Sequence, residues 1–266
     1  FRQMIRKLAQ PMNEKIISCT YIGHSTTLIN ISGTNILTDP HFGRRTVFMP
    51  REAELNFDPA KLPELAAILL SHTHYDHLNI GSYKYISSKV PIIVPEGSER
   101  AIGQYVSNPV IELSYFANHE LTDGTIITAV PAKHHSGRIS QLRYTKTNAY
   151  LIKKPNTGTV YFCGESAYGN HFRETANLGP VELAILPIGH YEPQWLMSSR
   201  HMTPAEAVQA FEDIGAKHMI PIHYGTFRLS LENLDAPLNW LEKIFSDRHD
   251  LKERIHPLKS GESFGI

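Results

Sequence analysis

The sequence predicts one α/β domain in which two stacked β-sheets are covered by helices. Short β-branched runs fill both halves of the chain, and helical patterns occur between them. The 266 residues are 41% hydrophobic and 20% charged, which is enough apolar material for a sizeable core. Because no linker-like segment divides the chain, we expect a single domain over residues 1–266, with residues 1–14 as an N-terminal extension.

The individual elements follow from local patterns. The runs 16–21, 26–31 and 36–40 predict an N-terminal β-meander, with a turn at Ser32-Gly33-Thr34-Asn35. Helices are expected before the strands at 91 and 110, and Thr203-Pro204-Ala205-Glu206 predicts a capped helix start. The remaining predicted strands are 67–71, 91–94, 110–113, 125–130, 149–152, 159–163, 182–186 and 219–222.

Composition excludes several classes of function. Lys+Arg and Asp+Glu number 26 each, so the net charge is zero, which argues against a basic nucleic-acid-binding face. The two cysteines, Cys19 and Cys163, exclude a disulfide scaffold and a cysteine-based zinc site. The apolar runs are far shorter than the roughly 20 residues of a membrane-spanning helix, so no transmembrane segment is predicted.

We expect a cytoplasmic protein. The sequence does not indicate the oligomeric state. The chain begins Phe1-Arg2-Gln3 without a methionine, so we expect a fragment of a longer product and leave a removed signal or anchor open. Residues 1–8 are basic and apolar, which would permit peripheral contact with anionic membrane headgroups; a frayed terminus is the alternative.

The segment Ser71-His72-Thr73-His74-Tyr75-Asp76-His77 points to a metal site. It follows a predicted buried strand, so His72 and His74 can point to the same side. Asp76 and His77 can face a second point nearby. Imidazole nitrogens and carboxylates are ligands that zinc prefers, and four such donors can hold two ions close together. The alternative is a polar surface loop with accidental histidines.

Further ligands are expected from other strand ends. His134, Glu165 and His223 each follow a β-rich run immediately, which places them on one rim. For each residue taken alone, the alternative is a hydrogen-bonded or exposed side chain. The chain has no P-loop or glycine-rich dinucleotide turn, so nucleotide-dependent chemistry is not predicted.

These residues resemble the metallo-β-lactamase superfamily, whose signature is the H-x-H-x-D-H loop found here at His72 to His77. More specifically, the chain resembles the branch containing N-acyl-phosphatidylethanolamine-hydrolysing phospholipase D and ascorbate-6-phosphate lactonase-like hydrolases. The supporting motifs cover nearly the whole chain: Gly23-His24-Ser25-Thr26, Leu37-Thr38-Asp39-Pro40, Ile185-Leu186-Pro187-Ile188-Gly189, Tyr191-Glu192-Pro193-Gln194-Trp195, the segment from His201 to Ala207, and the segment from Ile222 to Phe227.

The resemblance implies an αββα sandwich of two mixed sheets, with a site at its open edge. It also implies two divalent metal ions, zinc being expected first and iron or manganese being alternatives. One ion would be held by His72, His74 and His134, and the other by Asp76, His77 and His223. Glu165 stands where the family has a bridging aspartate, in Gly164-Glu165-Ser166 instead of Gly-Asp-Thr. The extra methylene would require a shift of the strand end or the metals, so bidentate or single-metal binding stays open.

Other site residues follow from the same resemblance. Asp39 resembles the aspartate that fixes a ligand imidazole through its other nitrogen, although a loop-capping aspartate would look the same. His24 is expected to be a structural hydrogen-bonding residue. His201 matches a histidine that borders the active site, where it would contact a phosphate oxygen or protonate a leaving group; helix capping or exposure is the alternative.

The predicted substrate-binding residues form one segment. His190, Tyr191, Glu192 and Trp195 are expected at a substrate entrance, and a packed loop is the alternative. His190 stands where relatives often have a small residue, so the pocket wall is expected to differ here.

The predicted activity is metal-dependent hydrolysis by a metal-bound hydroxide at a dinuclear site, on a phosphodiester as in phospholipase D. Asp76 would accept the proton of the attacking water while it coordinates a metal. The substrate would be a small-molecule or lipid ester. One alternative is a lactonase or other ester hydrolase on the same fold. The other is a metal-binding module whose catalysis is weakened because Glu165 replaces the usual aspartate.

Overall fold

A computed structural model describes residues 16–136 and 145–266 of the chain. Its strands, in chain order, are β1 (Ile17–Gly23), β2 (Thr26–Ile31), β3 (Thr34–Thr38), β4 (Arg45–Thr46), β5 (Met49–Pro50), β6 (Ala67–Leu69), β7 (Ile92–Pro95), β8 (Val110–Leu113), β9 (Asn118–Glu120), β10 (Ile126–Pro131), β11 (Asn148–Lys154), β12 (Gly158–Phe162), β13 (Leu183–Pro187), β14 (His218–Ile222) and β15 (Ser263–Gly265). Its α-helices are α1 (Glu99–Ile102), α2 (His171–Ala176), α3 (Gln194–Met197), α4 (Pro204–Ile214), α5 (Ala236–Asp247) and α6 (His249–Lys252), and two 3-10 helices cover Pro59–Lys61 and Ile80–Tyr85.

Two mixed sheets form the framework. The first has the strand order β15-β1-β2-β3-β6-β7-β8 and the second the order β14-β13-β12-β11-β10-β9. In the first sheet β1, β2 and β3 are antiparallel, whereas β3, β6, β7 and β8 are parallel. In the second, β10, β11 and β12 are antiparallel and β12, β13 and β14 are parallel. The predicted pair of mixed sheets is confirmed.

The core has three layers of apolar contacts. Ile29 and Ile36 of the first sheet share a buried cluster with Tyr150 and Ile185 of the second, which shows that the two sheets pack face to face. Helices α2, α4 and α5 cover the outer face of the second sheet, and the 3-10 helix Ile80–Tyr85 and α1 cover that of the first. This is the αββα sandwich that was predicted.

The local predictions fit with small shifts. The side chain of Thr203 accepts a hydrogen bond from the Glu206 N–H, and the Glu206 carboxylate accepts one from the Thr203 N–H, so α4 begins with the predicted capping box. The helix predicted before the strand at 91 is a 3-10 helix, in a segment containing Gly81 and two tyrosines, which are weak α-helix formers. The N-terminal extension and the basic start lie outside the described residues.

Strand direction positions the site. β1 and β3 run the same way because both are antiparallel to β2, and β6 is parallel to β3. In the second sheet, β10, β12, β13 and β14 share one direction for the same reason. The segments that follow these strands therefore collect at one edge of the sandwich. Within the described ranges, no helix combines the length and hydropathy needed to traverse a lipid bilayer.

Candidate metal centre

The seven predicted metal ligands lie together at this edge of the sandwich. They follow β6, β10, β12 and β14 and are mostly buried. These residues are His72, His74, Asp76, His77, His134, Glu165 and His223. The alternative hypothesis, that His72 to His77 is a polar surface loop, does not fit the structure, because His72 and His77 are completely buried.

Four of these side chains form a first donor cluster. His74 Nδ1 lies 2.9 Å from His72 Nε2 and 3.2 Å from His134 Nε2. Glu165 Oε2 lies 3.1 Å from Nε2 of both His72 and His134. Donors bonded at about 2.0–2.1 Å to one tetrahedral ion are roughly 3.3 Å apart, so this spacing suits a single divalent cation.

The second donor cluster lies beside the first. His77 Nε2 is 3.1 Å from His223 Nε2, and Asp76 Oδ2 lies 3.5 Å and 3.6 Å from these two nitrogens. Glu165 also reaches this cluster, with Oε2 3.4 Å from His77 Nε2 and Oε1 3.1 Å from His223 Nε2. The Glu165 side chain is therefore in contact with both clusters.

Neighbouring groups fix the orientation of the imidazole rings. His77 Nδ1 donates to Asp39 Oδ2 at 2.7 Å, and Asp39 is itself held by the Ser71 N–H and hydroxyl at 2.7 Å and 2.6 Å. Because the Ser71 hydroxyl donates to Asp39, it can accept from His72 Nδ1 at 3.0 Å. His134 Nδ1 donates to the carbonyl oxygen of Arg200 at 2.9 Å. In all three rings, the other nitrogen is left free to bind a metal.

His24 also contacts a side chain of the second donor cluster, as Asp39 does. Its Nε2 lies 2.9 Å from Asp76 Oδ2, and its ring packs 4.0 Å from the His223 ring, centroid to centroid. Its Nδ1 is buried and finds no hydrogen-bond partner in the part of the chain that the structure describes. The predicted hydrogen-bonding residue thus contacts the Asp76 carboxylate directly.

Burial and local charge set the protonation of the centre. Burial holds the pKa of His72 well below its ordinary value and lowers the pKa of His134 to about 4, which leaves both rings neutral and able to coordinate a metal. Burial alone would raise the pKa of Glu165, but His134, His223 and His201 hold it well below the usual range. Burial opposes protonation of His77, yet Asp76 and Asp39 raise its pKa well above the ordinary value.

The centre is built on unusual backbone conformations. Four non-glycine residues of the site have φ values in the left-handed region: His24 (57°), Asp39 (36°), His190 (65°) and His223 (63°). Gly164 has φ +65°, and a Cβ there would lie 2.2 Å from Ser71 Cβ. Such strained residues persist only where the surrounding structure holds them, and they concentrate at functional sites.

His201 and His190 lie against the two clusters. His201 Nδ1 is 2.7 Å from Glu165 Oε1, and the His190 ring centroid is 4.3 Å from that of His223. The carboxylate of Glu232 accepts hydrogen bonds from the N–H groups of His190 and Glu192, at 2.6 Å and 3.1 Å. Glu232, Ser71 and the Arg200 carbonyl were not predicted, since nothing in the local sequence marks them.

The other predicted substrate-binding residues lie away from the donor atoms. Tyr191 is buried and packs edge-on against Trp240, with ring centroids 5.4 Å apart. Glu192 is half-buried, and Trp195 on α3 is 82% exposed. Of these four residues, His190 is the one that the structure brings to the donor clusters.

The chemistry of the site fits divalent metal ions. Imidazole nitrogens and carboxylate oxygens meet at distances suited to shared cations. Within residues 16–136 and 145–266, the buried atoms Glu165 Oε1 and His201 Nδ1 have no properly aligned hydrogen bond. Nitrogen and oxygen donors of this kind suit zinc, iron or manganese.

Comparison with known proteins identifies the family. Residues 34–224, more than half of the chain, match the family model described as a beta-lactamase superfamily domain. This chain belongs to the metallo-β-lactamase superfamily. Together with its relatives and its donor clusters, this membership makes it a metal-dependent hydrolase.

Three relatives show which proteins this superfamily member is similar to. It is 32% identical to N-acyl-phosphatidylethanolamine-hydrolyzing phospholipase D 1 of Caenorhabditis elegans, over 91% of this chain and 73% of that protein. It is 31% identical to a mitochondrial phospholipase D of the same name from Saccharomyces cerevisiae, but spans only 53% of that protein's length. A UPF0173 metal-dependent hydrolase of Pyrobaculum aerophilum is 24% identical, over 92% of this chain and 94% of the relative.

The fold is shared with solved structures. A metallo hydrolase from the archaeon Ignicoccus hospitalis superimposes with a TM-score of 0.70 at 19% identity, covering 94% of this chain and 98% of that chain. At this level of identity the likeness establishes the metallo-β-lactamase fold and not the substrate.

Proposed function

We propose that this metallo-β-lactamase superfamily member hydrolyses a phosphodiester at a centre of two divalent ions, with zinc the first expectation and iron or manganese the alternatives. The observation that carries the proposal is the position of Glu165, whose Oε2 lies 3.1 Å from His72 Nε2 while Oε1 lies 3.1 Å from His223 Nε2. One carboxylate between two donor clusters is the arrangement of two-metal hydrolysis. When bound, the ions would lower the pKa of a water molecule and stabilise charge on the substrate.

The protein side chains divide the remaining tasks. His72, His74 and His134 would hold one ion, Asp76, His77 and His223 the other, and Glu165 both. Asp76 would accept the proton of the attacking water, and its contact with His24 at 2.9 Å supports this by holding the carboxylate in one orientation. Asp39 would keep His77 in the tautomer that coordinates through Nε2.

His201 would act on the substrate. Its side chain keeps 11% of its surface exposed, whereas the neighbouring His223 side chain has none. A substrate phosphate that enters from solvent would therefore meet His201. Its imidazole would then contact a phosphate oxygen or protonate the leaving group. His190 would form the adjacent wall of the pocket.

A lipid is the substrate class that the surface favours. Phe48 at the tip of the β4–β5 hairpin, Trp195 on α3 and Leu231 are 89%, 82% and 78% exposed. The 223–231 loop carries both His223 and Leu231. The Leu231 N–H donates to the Glu192 carbonyl just before α3, and Arg51 Cζ, directly after β5, lies 5.0 Å from the Phe227 ring centroid, so the hairpin and α3 both adjoin this loop.

Charge on the same segments agrees with an anionic bilayer. Arg44 and Arg45 begin the hairpin and Arg228 lies in the loop, and all three are exposed. Exposed aromatic side chains combined with arginines are typical of surfaces that lie in a membrane interface. We therefore propose that the substrate is reached at the bilayer surface, and that the hairpin, α3 and the 223–231 loop provide peripheral contact.

A substrate panel tests the proposal. The zinc-reconstituted chain would be given a phospholipid in anionic vesicles, a water-soluble phosphodiester and a lactone, with Asp76→Asn as the inactive control. We expect phosphodiester turnover that Asp76→Asn removes, and greater turnover on the vesicles. Turnover of the lactone alone would instead support a lactonase on the same fold.

A further inference from the structure

Besides His24, two imidazoles adjoin the two donor clusters without belonging to either: His190, which is buried, and His201, which is partly exposed. His190 and His201 belong to neither cluster, yet one ligand atom from each lies within 4.8 Å of ligand atoms of Glu165 and His223. This forms a third donor group, which shares His223 with the second cluster and Glu165 with the first. A residue shared between groups can serve one ion in either of two places.

The geometry at Glu165 and His201 points to a common ligand. Glu165 Oε1 and His201 Nδ1 are 2.7 Å apart, but neither atom has an aligned hydrogen-bond partner among the described residues. When an oxygen and a nitrogen approach closely without the alignment of a hydrogen bond, the lone pairs of both atoms are available to one metal ion. His223 Nε2 lies 3.1 Å from the same Oε1 atom, which completes a compact set.

His190 is held rigidly beside this set. Its backbone N–H is bonded to Glu232 Oε1 at 2.6 Å, and its φ of 65° is strained for a histidine. The preceding Gly189 packs so closely that a Cβ there would lie 2.2 Å from the His223 carbonyl oxygen. The loop therefore keeps the His190 ring next to His223. A glycine at position 190 would adopt the same φ without backbone strain.

We propose that the second metal ion has two alternative positions around His223. In the inner position it is held by Asp76, His77 and His223, and in the outer position by Glu165, His190, His201 and His223. The extra methylene of Glu165, compared with an aspartate, carries Oε1 to the outer position. His201 faces the substrate when the ion is inner and is a ligand when it is outer. This inference rests on the dinuclear centre of the proposed function.

The test removes the inner position and asks whether a second ion still binds. Cobalt(II) is titrated into metal-free wild type, Asp76→Asn and the double variant Asp76→Asn/His190→Gly, with bound ions counted by elemental analysis and followed by the visible absorption of cobalt. Glycine is chosen because it tolerates the positive φ of His190. Ser32→Gly, another non-glycine position of positive φ (47°), is the matched control.

We expect Asp76→Asn to retain two ions and the double variant to bind the second at least about tenfold more weakly. Loss of the second ion in Asp76→Asn alone, or its full retention in the double variant, overturns the outer position. If Asp76→Asn does not fold, His190→Gly with Asp76 intact is measured instead, and an unchanged cobalt spectrum and affinity overturn the proposal. Wild type that binds one ion overturns the dinuclear centre itself, which separates the two failures.

Discussion

The carboxylate of Asp39 lies 2.7 Å from Nδ1 of His77, and both side chains are completely buried. This contact links the end of β3 to the histidine loop after β6, and it directs the other ring nitrogen of His77 toward His223. A carboxylate in this position orients a ligand imidazole and increases its basicity. The metal affinity of the second cluster should therefore depend on a residue that touches no metal.

Asp39→Asn should weaken binding of the second ion by about 10–100-fold and change the first much less. The amide keeps the shape of the side chain but loses the charge that holds the His77 N–H. Competition with a chromophoric chelator measures both affinities. Asp58→Asn, which alters an exposed cap of the 3-10 helix Pro59–Lys61, is the control. Equal weakening of both ions would contradict the assignment of Asp39 to His77.

Glu165→Asp should lower turnover by at least about tenfold, the smallest effect expected when a catalytic metal site is misplaced. The surrounding groups are spaced for the longer side chain, since Oε1 reaches His201 at 2.7 Å while Oε2 contacts His72 and His134. Steady-state kinetics on the best panel substrate gives the result. Glu182→Asp, in a partly exposed ion pair with Lys217, is the matched control. A rise of orders of magnitude would instead favour a metal-binding module with weakened catalysis.

Gly164→Ala should be far more damaging than Gly124→Ala. Both glycines have positive φ, +65° and +79°. A Cβ at Gly164 would lie 2.2 Å from Ser71 Cβ, whereas one at Gly124 would meet no described atom within 4 Å. The second variant should lose only the backbone term of about 1 kcal/mol, and the first about 3 kcal/mol or more. Urea unfolding of the metal-free chains gives both values. Equal losses would show that the close packing of Gly164 on Ser71 is unimportant.

The metal-free protein should become less stable as the pH falls from 6.5 toward 4, in part because of His41. Burial and the nearby Arg51 guanidinium lower the pKa of this completely buried histidine to about 4. In the unfolded chain a histidine titrates near 6.5, so between pH 6.5 and 4 the unfolded chain binds more protons than the folded one. The free energy of unfolding therefore decreases as the pH falls through this range. The contribution of this one group is about 2.5 kcal/mol over that range.

His41→Gln removes this titration and should flatten the pH dependence of the free energy of unfolding. Urea unfolding of wild type and variant at pH 7.5 and 4.5 provides the comparison, with the exposed His249→Gln as control. Wild type should lose more stability than His41→Gln between the two pH values. Parallel losses would contradict a neutral buried His41.

The sequence was most informative where chemistry and local pattern coincide. His72 to His77 carries its ligands within six positions after an apolar run, and Thr203 with Glu206 carries a complete cap, so both could be predicted. The Arg200 carbonyl on His134 and the Glu232 carboxylate under His190 could not, because these contacts join segments 66 and 42 residues apart. Tyr191 illustrates the same limit, since its partner Trp240 lies on α5 and a loop motif does not show which side is buried.

The length of Glu165 was visible in the sequence, but its consequence was not. The extra methylene of glutamate, compared with aspartate, could shift the metals, favour bidentate binding or leave one ion unbound. The local sequence does not distinguish these outcomes. The structure places the carboxylate between both clusters and against His201. His190 acquires its significance only in this setting, because its proximity to His223 depends on the parallel pairing of β13 and β14.

The most direct test of the dinuclear centre is the number of metal ions per chain, measured by elemental analysis after purification without chelators and again after reconstitution with zinc. A centre in which Glu165 contacts both donor clusters should hold close to two ions per chain, and Glu165→Gln should reduce the count toward one. A count of one or less in wild type that persists after reconstitution would contradict the account.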